Sequence, residues 1–280
     1  MVKKVLYSHL VDMGGIPLRQ PLPTTNVEHI DPFLLLHHHI GHFEEGTSPR
    51  DVGVGPHPHR GFSPVTFIFQ GDVHHRDSRD NSSVVKAGGV QWMNAGMGIV
   101  HSERPSAQLT HDGGTQEIIQ LWINTPQSKK MKPPAYQAFQ KEELPIAKNG
   151  LSLVAGNEDD SKGPALTEMP VKAMMGILDA GQKVSISVDY AHSFLYLLEG
   201  RVSIEQFGLL DEHNLVWLEE DANELLIEIK ETSKLLFLSA DPLNEPLATY
   251  GPFVMNNQTE IMEAMRDYQM GKMGVLIEEF

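Results

Sequence analysis

The chain has 280 residues, 40% of them hydrophobic, and its 37 acidic against 22 basic residues give a charge of −15 that argues against direct nucleic-acid or anionic-membrane binding. With no cysteine, disulfides, zinc ribbons, iron–sulfur clusters and thiol catalysis are excluded, so any metal must be held by nitrogen and oxygen. No apolar run reaches signal-peptide or membrane-spanning form, and the expectation is a soluble cytoplasmic protein.

The first half is dense in short β-like runs closed by glycine: residues 65–69 before Gly71, 83–86 before Gly88, and 90–93 before Gly96 and Gly98. That punctuation predicts an antiparallel sandwich or barrel. A further strand over 117–123 ends at Asn124-Thr125-Pro126, and residues 127–134 read as linker. The polar stretch 156–163 marks another break, and new strands start at Val171. The expected division is an N-terminal barrel over 1–135, an excursion over 136–165 and a second barrel over 166–280.

One stretch of the second half repeats the first. Phe194-Leu-Tyr-Leu-Leu-Glu-Gly200 aligns with Val65-Thr-Phe-Ile-Phe-Gln-Gly71, and Val216-Trp217-Leu218 follows it as Gln91-Trp92-Met93 follows the first. So long a period indicates duplicated domains rather than a solenoid. At the chain's end, Asn257-Gln-Thr-Glu260 reads as a helix start and Gly271 as its stop, with Ile261, Met265 and Tyr268 on one face.

The chemistry concentrates in His57-Pro58-His59 and His101-Ser102-Glu103. Each places two metal-competent side chains two residues apart, and on a strand such residues share a face. If both pairs line one small barrel, three imidazoles and one carboxylate converge. That donor set suits a divalent iron, manganese, nickel, copper or cobalt ion; zinc is less natural, because four protein ligands close its tetrahedron. An octahedral ion so held keeps two positions for a substrate oxygen and dioxygen, and Glu103 becomes the catalytic candidate for taking a substrate proton. In the duplicated half, Ile186 and Val188 stand where His57 and His59 stand, and Leu226 and Glu228 where His101 and Glu103 stand, so the second barrel is expected to hold no metal.

The runs Gly55-Pro-His-Pro-His-Arg-Gly-Phe62, Gln91-Trp-Met-Asn-Ala-Gly-Met-Gly-Ile-Val-His-Ser-Glu103, Pro242-Leu-Asn-Glu-Pro246 and Gly251-Pro-Phe-Val-Met-Asn256 resemble the pirin family of the cupin superfamily. The resemblance covers nearly the whole chain. It implies an all-β fold of two stacked cupin (jelly-roll) β-barrels with a short C-terminal α-helix. It also implies one metal ion, usually iron(II), in the N-terminal barrel on His57, His59, His101 and Glu103. Cupins commonly place a glutamate four or five residues after the second histidine; Ser63 and Pro64 stand there, which leaves the carboxylate to Glu103. The family resembles quercetin 2,3-dioxygenases, so the resemblance implies a small aromatic substrate and dioxygen. Other members are described as regulators acting through a protein partner, and a non-redox cupin metalloenzyme is a further alternative.

Several histidines stay outside that set. His37, His38, His39 and His42 depart from the family pattern and read as a solvated rim strand rather than a second metal site. His75 reads equally as a turn residue or as one that orients a ligand, and Gln120 as a core amide beside the site.

Overall fold

The structure is a computed structural model that describes residues 2–279. Strands dominate, and among the described residues no helix is long and apolar enough to cross a membrane. The chain forms two compact units, and neither is continuous in sequence.

One unit combines the chain up to His39 with Lys141–Pro242. Its sheet runs in the order Val2–Tyr7, Asn214–Leu218, His192–Ile204, Glu224–Ala240, Val171–Leu178 and Ser152–Ala155, all antiparallel. Its main core is apolar: Ile186, Leu195, Leu197, Leu218, Leu225, Ile227 and Phe237 are all buried in one cluster. This cluster is filled by packing, and among the described residues the unit holds no group of three histidine or carboxylate donors close enough to share an ion.

The second unit combines Ile40–Gln140 with the chain from Leu243 onward. One of its sheets orders Val54–His59, Ile99–Arg104, Asp72–Asp77 and Ser82–Lys86; the other contains Ala135–Phe139, Val90–Asn94, Phe62–Gln70 and Gly114–Asn124 in succession. Phe62–Gln70 is buried at every position but its last, as a strand covered on both faces must be. The helix Gln258–Gln269 starts with reciprocal caps: Glu260 N donates to Asn257 Oδ1 (3.0 Å), and Asn256 N to Glu260 Oε2 (2.8 Å). Its buried face joins Val100, Phe253, Met255 and Met273 in a local core.

These units depart from the expected boundaries at 135 and 166. Val2–Tyr7 pairs with Asn214–Leu218, while Ala135–Phe139 pairs with Val90–Asn94, and the terminal helix belongs with the histidine-bearing unit rather than with 166–280. Strand pairing across long sequence separations caused the difference, since the pattern of one strand does not name its neighbour. The helix face also differs: Ile261 and Ala264 are buried, whereas Tyr268 is exposed.

Lys130 and Gly61 fix how the tail meets the histidine strand. The Lys130 ammonium donates to Gly61 O (2.6 Å), Asn124 Oδ1 (2.6 Å) and Val254 O (3.0 Å). Gly61 has φ +87°, and a Cβ there would overlap the Val254 carbonyl oxygen, so only glycine fits the turn. Arg60 adds an ion pair with Asp267 (3.1 Å), and Arg104 donates from Nε and Nη2 to the Glu278 carboxylate.

Candidate metal centre

Strand Val54–His59 lies antiparallel to Ile99–Arg104 with His57 opposite His101. A register shift between His101 and Glu103 absorbs one extra residue near Gly55 and Pro56, a bulge at the edge of the site. Alternation then brings the two pairs to one face. His57, His59 and His101 each offer a nitrogen, and these lie within 4.8 Å of one another; among the described residues no other such group of three donors occurs.

The outer nitrogens are all engaged. His57 Nδ1 donates to Gly55 O (2.8 Å), His59 Nδ1 to Pro252 O (3.4 Å), and His101 Nδ1 lies 3.4 Å from His75 Nδ1. A ring that donates from Nδ1 and is neutral keeps a bare lone pair on Nε2. His57 Nε2 and His101 Nε2 face each other at 3.1 Å, and the buried His59 Nε2 has no partner. Two nitrogens bound cis to one ion at about 2.1 Å lie about 3 Å apart, so the cluster fits a metal that would resolve the opposed lone pairs. Burial holds His59 and His101 well below the usual imidazole range, with neighbouring histidines adding to the effect.

Glu103 stands on the same strand, buried but outside the three-nitrogen group. Its carboxylate accepts from Thr66 Oγ1 at Oε1 and from Gln120 Nε2 at Oε2, both at 2.6 Å. Gln120 Oε1 in turn accepts from Trp122 Nε1 (3.4 Å). Each carboxylate oxygen keeps a second lone pair, so these bonds orient Glu103 without exhausting it. Trp122 packs on Phe62, with ring centroids 4.3 Å apart, and on the edge of His59 at 5.5 Å.

Sequence reading missed Thr66, which is one hydroxyl in an apolar strand and carries no spacing signal. Gln120 proves to hold Glu103 rather than serve as an ordinary core amide. The histidines at 37–42 go elsewhere: His37 Nε2 meets Gln20 Oε1 (2.8 Å), His38 Nδ1 meets Tyr196 OH (3.0 Å), and His42 Nδ1 meets Thr115 Oγ1 (2.9 Å). In the other barrel, Ile186 and Val188 are buried as aligned, but Leu226 and Glu228 are one residue out of step. Leu225 and Ile227 point inward there, while Glu228 pairs with Lys230 at the surface.

Residues 15–123 match the Pirin family, and residues 174–274 match the Pirin C-terminal cupin domain. The fold and site define a double cupin with a metal-competent cluster in one barrel. The chain belongs to the pirin family. It is 36% identical over 265 residues, 92% of each chain, to a Pseudomonas aeruginosa protein provisionally named a quercetin 2,3-dioxygenase. It is 33% identical to Pirin-1 of Arabidopsis thaliana, covering 98% of this chain and 94% of that one. The crystal structure of a quercetin 2,3-dioxygenase from Acinetobacter baumannii superposes with a TM-score of 0.90 at 36% identity, covering 99% of both chains.

Proposed function

We propose that the protein is a dioxygenase of the quercetinase type that holds iron(II) on His57, His59, His101 and Glu103 and opens a flavonol-like aromatic substrate. The observation that carries this reading is the convergence of three imidazole nitrogens, with Glu103 on the same strand as His101 and oriented at both oxygens. The relatives named for quercetin cleavage support it.

Iron bound there would supply a Lewis acid for a substrate hydroxyl and an electron partner for dioxygen. The chain's own residues do the rest. Burial keeps His59 and His101 neutral and ready to ligate. Glu103 takes the hydroxyl proton as the substrate binds, and Thr66 and Gln120 keep its carboxylate from swinging away. Trp122, backed by the buried Phe62, offers an aromatic face beside His59 for a planar ring.

Iron-loaded protein mixed anaerobically with quercetin and then opened to air is expected to bleach the flavonol band. One dioxygen should be consumed per carbon monoxide released, and His101→Ala should abolish the reaction. No bleaching above that of free iron, with several flavonols and metals tried, overturns the reading.

A further inference from the structure

Strand Asp72–Asp77 pairs with Ile99–Arg104 on the side away from Val54–His59, with Asp77 opposite His101 and His75 opposite Glu103. Both are buried, His75 to 1% exposure and Asp77 to 3%. His75 uses both ring nitrogens: Nδ1 lies 3.4 Å from His101 Nδ1, and Nε2 lies 3.0 Å from Asp77 Oδ2. Its ring is stacked on Tyr136 at 3.9 Å and 7°, and the Tyr136 hydroxyl is tied to Ser83 Oγ (2.6 Å). Asp77 is saturated with donors. Its Oδ1 accepts from Arg79 N (2.8 Å) and Asn81 N (3.2 Å), and its Oδ2 accepts from His75 and from Asn81 Nδ2 (2.9 Å).

Hydrogen positions follow from this arrangement. A carboxylate only accepts, so His75 Nε2 carries the hydrogen and His75 Nδ1 is the acceptor. His101 must then donate from Nδ1, which leaves its Nε2 bare and facing His57 Nε2. We propose that Asp77 and His75 are positioning residues that fix the tautomer of His101, so that a metal meets a bare nitrogen there instead of an N–H. The proposal rests on metal binding at His57, His59 and His101.

Asp77→Asn tests it, because shape is kept while one oxygen becomes a donor. The two backbone N–H groups at Oδ1 cannot turn, so the new amide N–H₂ faces His75 and Asn81, whose own amide can rotate. His75 must then accept at Nε2 and donate from Nδ1, and His101 is left with its hydrogen on Nε2, in the metal position. The same substitution in a serine-protease triad produces a wrong-tautomer histidine. His75→Gln is the rescue: its carbonyl can accept from His101 while its amide donates to Asp77, and His75→Leu removes both.

Two readouts decide. In metal-free protein, long-range ¹H–¹⁵N spectra of the imidazoles should show His101 as the Nδ1–H tautomer in wild type and as Nε2–H in Asp77→Asn. Anaerobic iron(II) titration against a chromogenic chelator should show affinity reduced about 10- to 100-fold in Asp77→Asn and His75→Leu, and within threefold of wild type in His75→Gln. If Asp77→Asn fails to fold, the wild-type spectrum and the His75→Gln and His75→Leu pair carry the test. A wild-type His101 with Nε2–H, or Asp77→Asn and His75→Leu that bind iron as well as wild type, overturns the proposal. A wild type that binds no iron overturns the metal reading instead, while the metal-free spectra still judge the tautomer.

Discussion

Lys130→Met is expected to lower stability by about 3 kcal/mol, because three buried oxygens lose their donor. Lys130 is 1% exposed and donates to Gly61 O, Asn124 Oδ1 and Val254 O. Methionine fills nearly the same volume, so no large cavity forms. Three buried acceptors lose a donor at about 2 kcal/mol each, roughly 6 kcal/mol together. Against this, the substitution removes the cost of burying an ammonium, which shows as a Lys130 pKa drawn down from 10.5 to about 8 by burial, with Glu245 and Glu260 opposing. That shift corresponds to about 3 kcal/mol, and about 3 kcal/mol of loss remains. Scanning calorimetry of metal-free protein at pH 7 should show a melting point lower by about 6–12 °C. The pH dependence gives a second check. The native state releases the proton near 8 and the unfolded chain near 10.5, so wild type gains stability as pH rises through that window, whereas the variant lacks this gain. The gap should therefore widen by up to about 3 kcal/mol between pH 8 and 10.5. Equal melting points at pH 7, or a gap that does not widen, would refute the argument.

Thr66→Val removes the 2.6 Å bond to Glu103 with almost no change in shape, and should cost metal-free protein about 1.5–3 kcal/mol in urea unfolding. With iron bound the loss should shrink, because the metal takes up the freed oxygen; an equal loss in both states would count against Glu103 as a ligand. His37 is lowered by burial from 6.5 to about 4, so the stability tied to its neutral form is complete above 6.5 and fades as pH falls to about 4. His37→Gln should flatten that acid slope by up to about 3 kcal/mol, and parallel unfolding curves for the two proteins would contradict the assignment. Gly61→Ala, at φ +87° with the Val254 carbonyl in the way, should destabilise by at least about 3 kcal/mol. A melting point within 2 °C of wild type would show that the turn relaxes more easily than the packing implies.

The histidine pairs were legible because a period of two is a local property: His57 and His59 share a face whatever strand lies beside them. Asp77 carried the same signal two residues after His75, but the preceding glycine suggested a turn where the strand Asp72–Asp77 in fact continues. Thr66 and Gln120 were opaque for another reason. Their role depends on which strands become neighbours, and Gln120 lies opposite Thr66 only through the pairing of Gly114–Asn124 with Phe62–Gln70. The one-residue slip at Leu226 and Glu228 shows how fragile alignment is on a strand, where a single step exchanges inside for outside. The capping residues of the last helix were readable, since they act within four positions, but its buried face was set by Phe253, Met255 and Met273 around it.

The discontinuity of the two units has a consequence for the order of synthesis. All four candidate ligands leave the ribosome by Glu103, yet Pro252, whose carbonyl orients His59, follows only after most of the other barrel has been made. Val254, Asp267 and Glu278, which fasten Lys130, Arg60 and Arg104, are later still. A growing chain therefore has the strands that set the histidines' register well before it has the contacts that fasten His59, Lys130, Arg60 and Arg104. An interruption after about residue 242 would yield a molecule with all four candidate ligands but without the Pro252 carbonyl that His59 meets and the anchors of Lys130, Arg60 and Arg104.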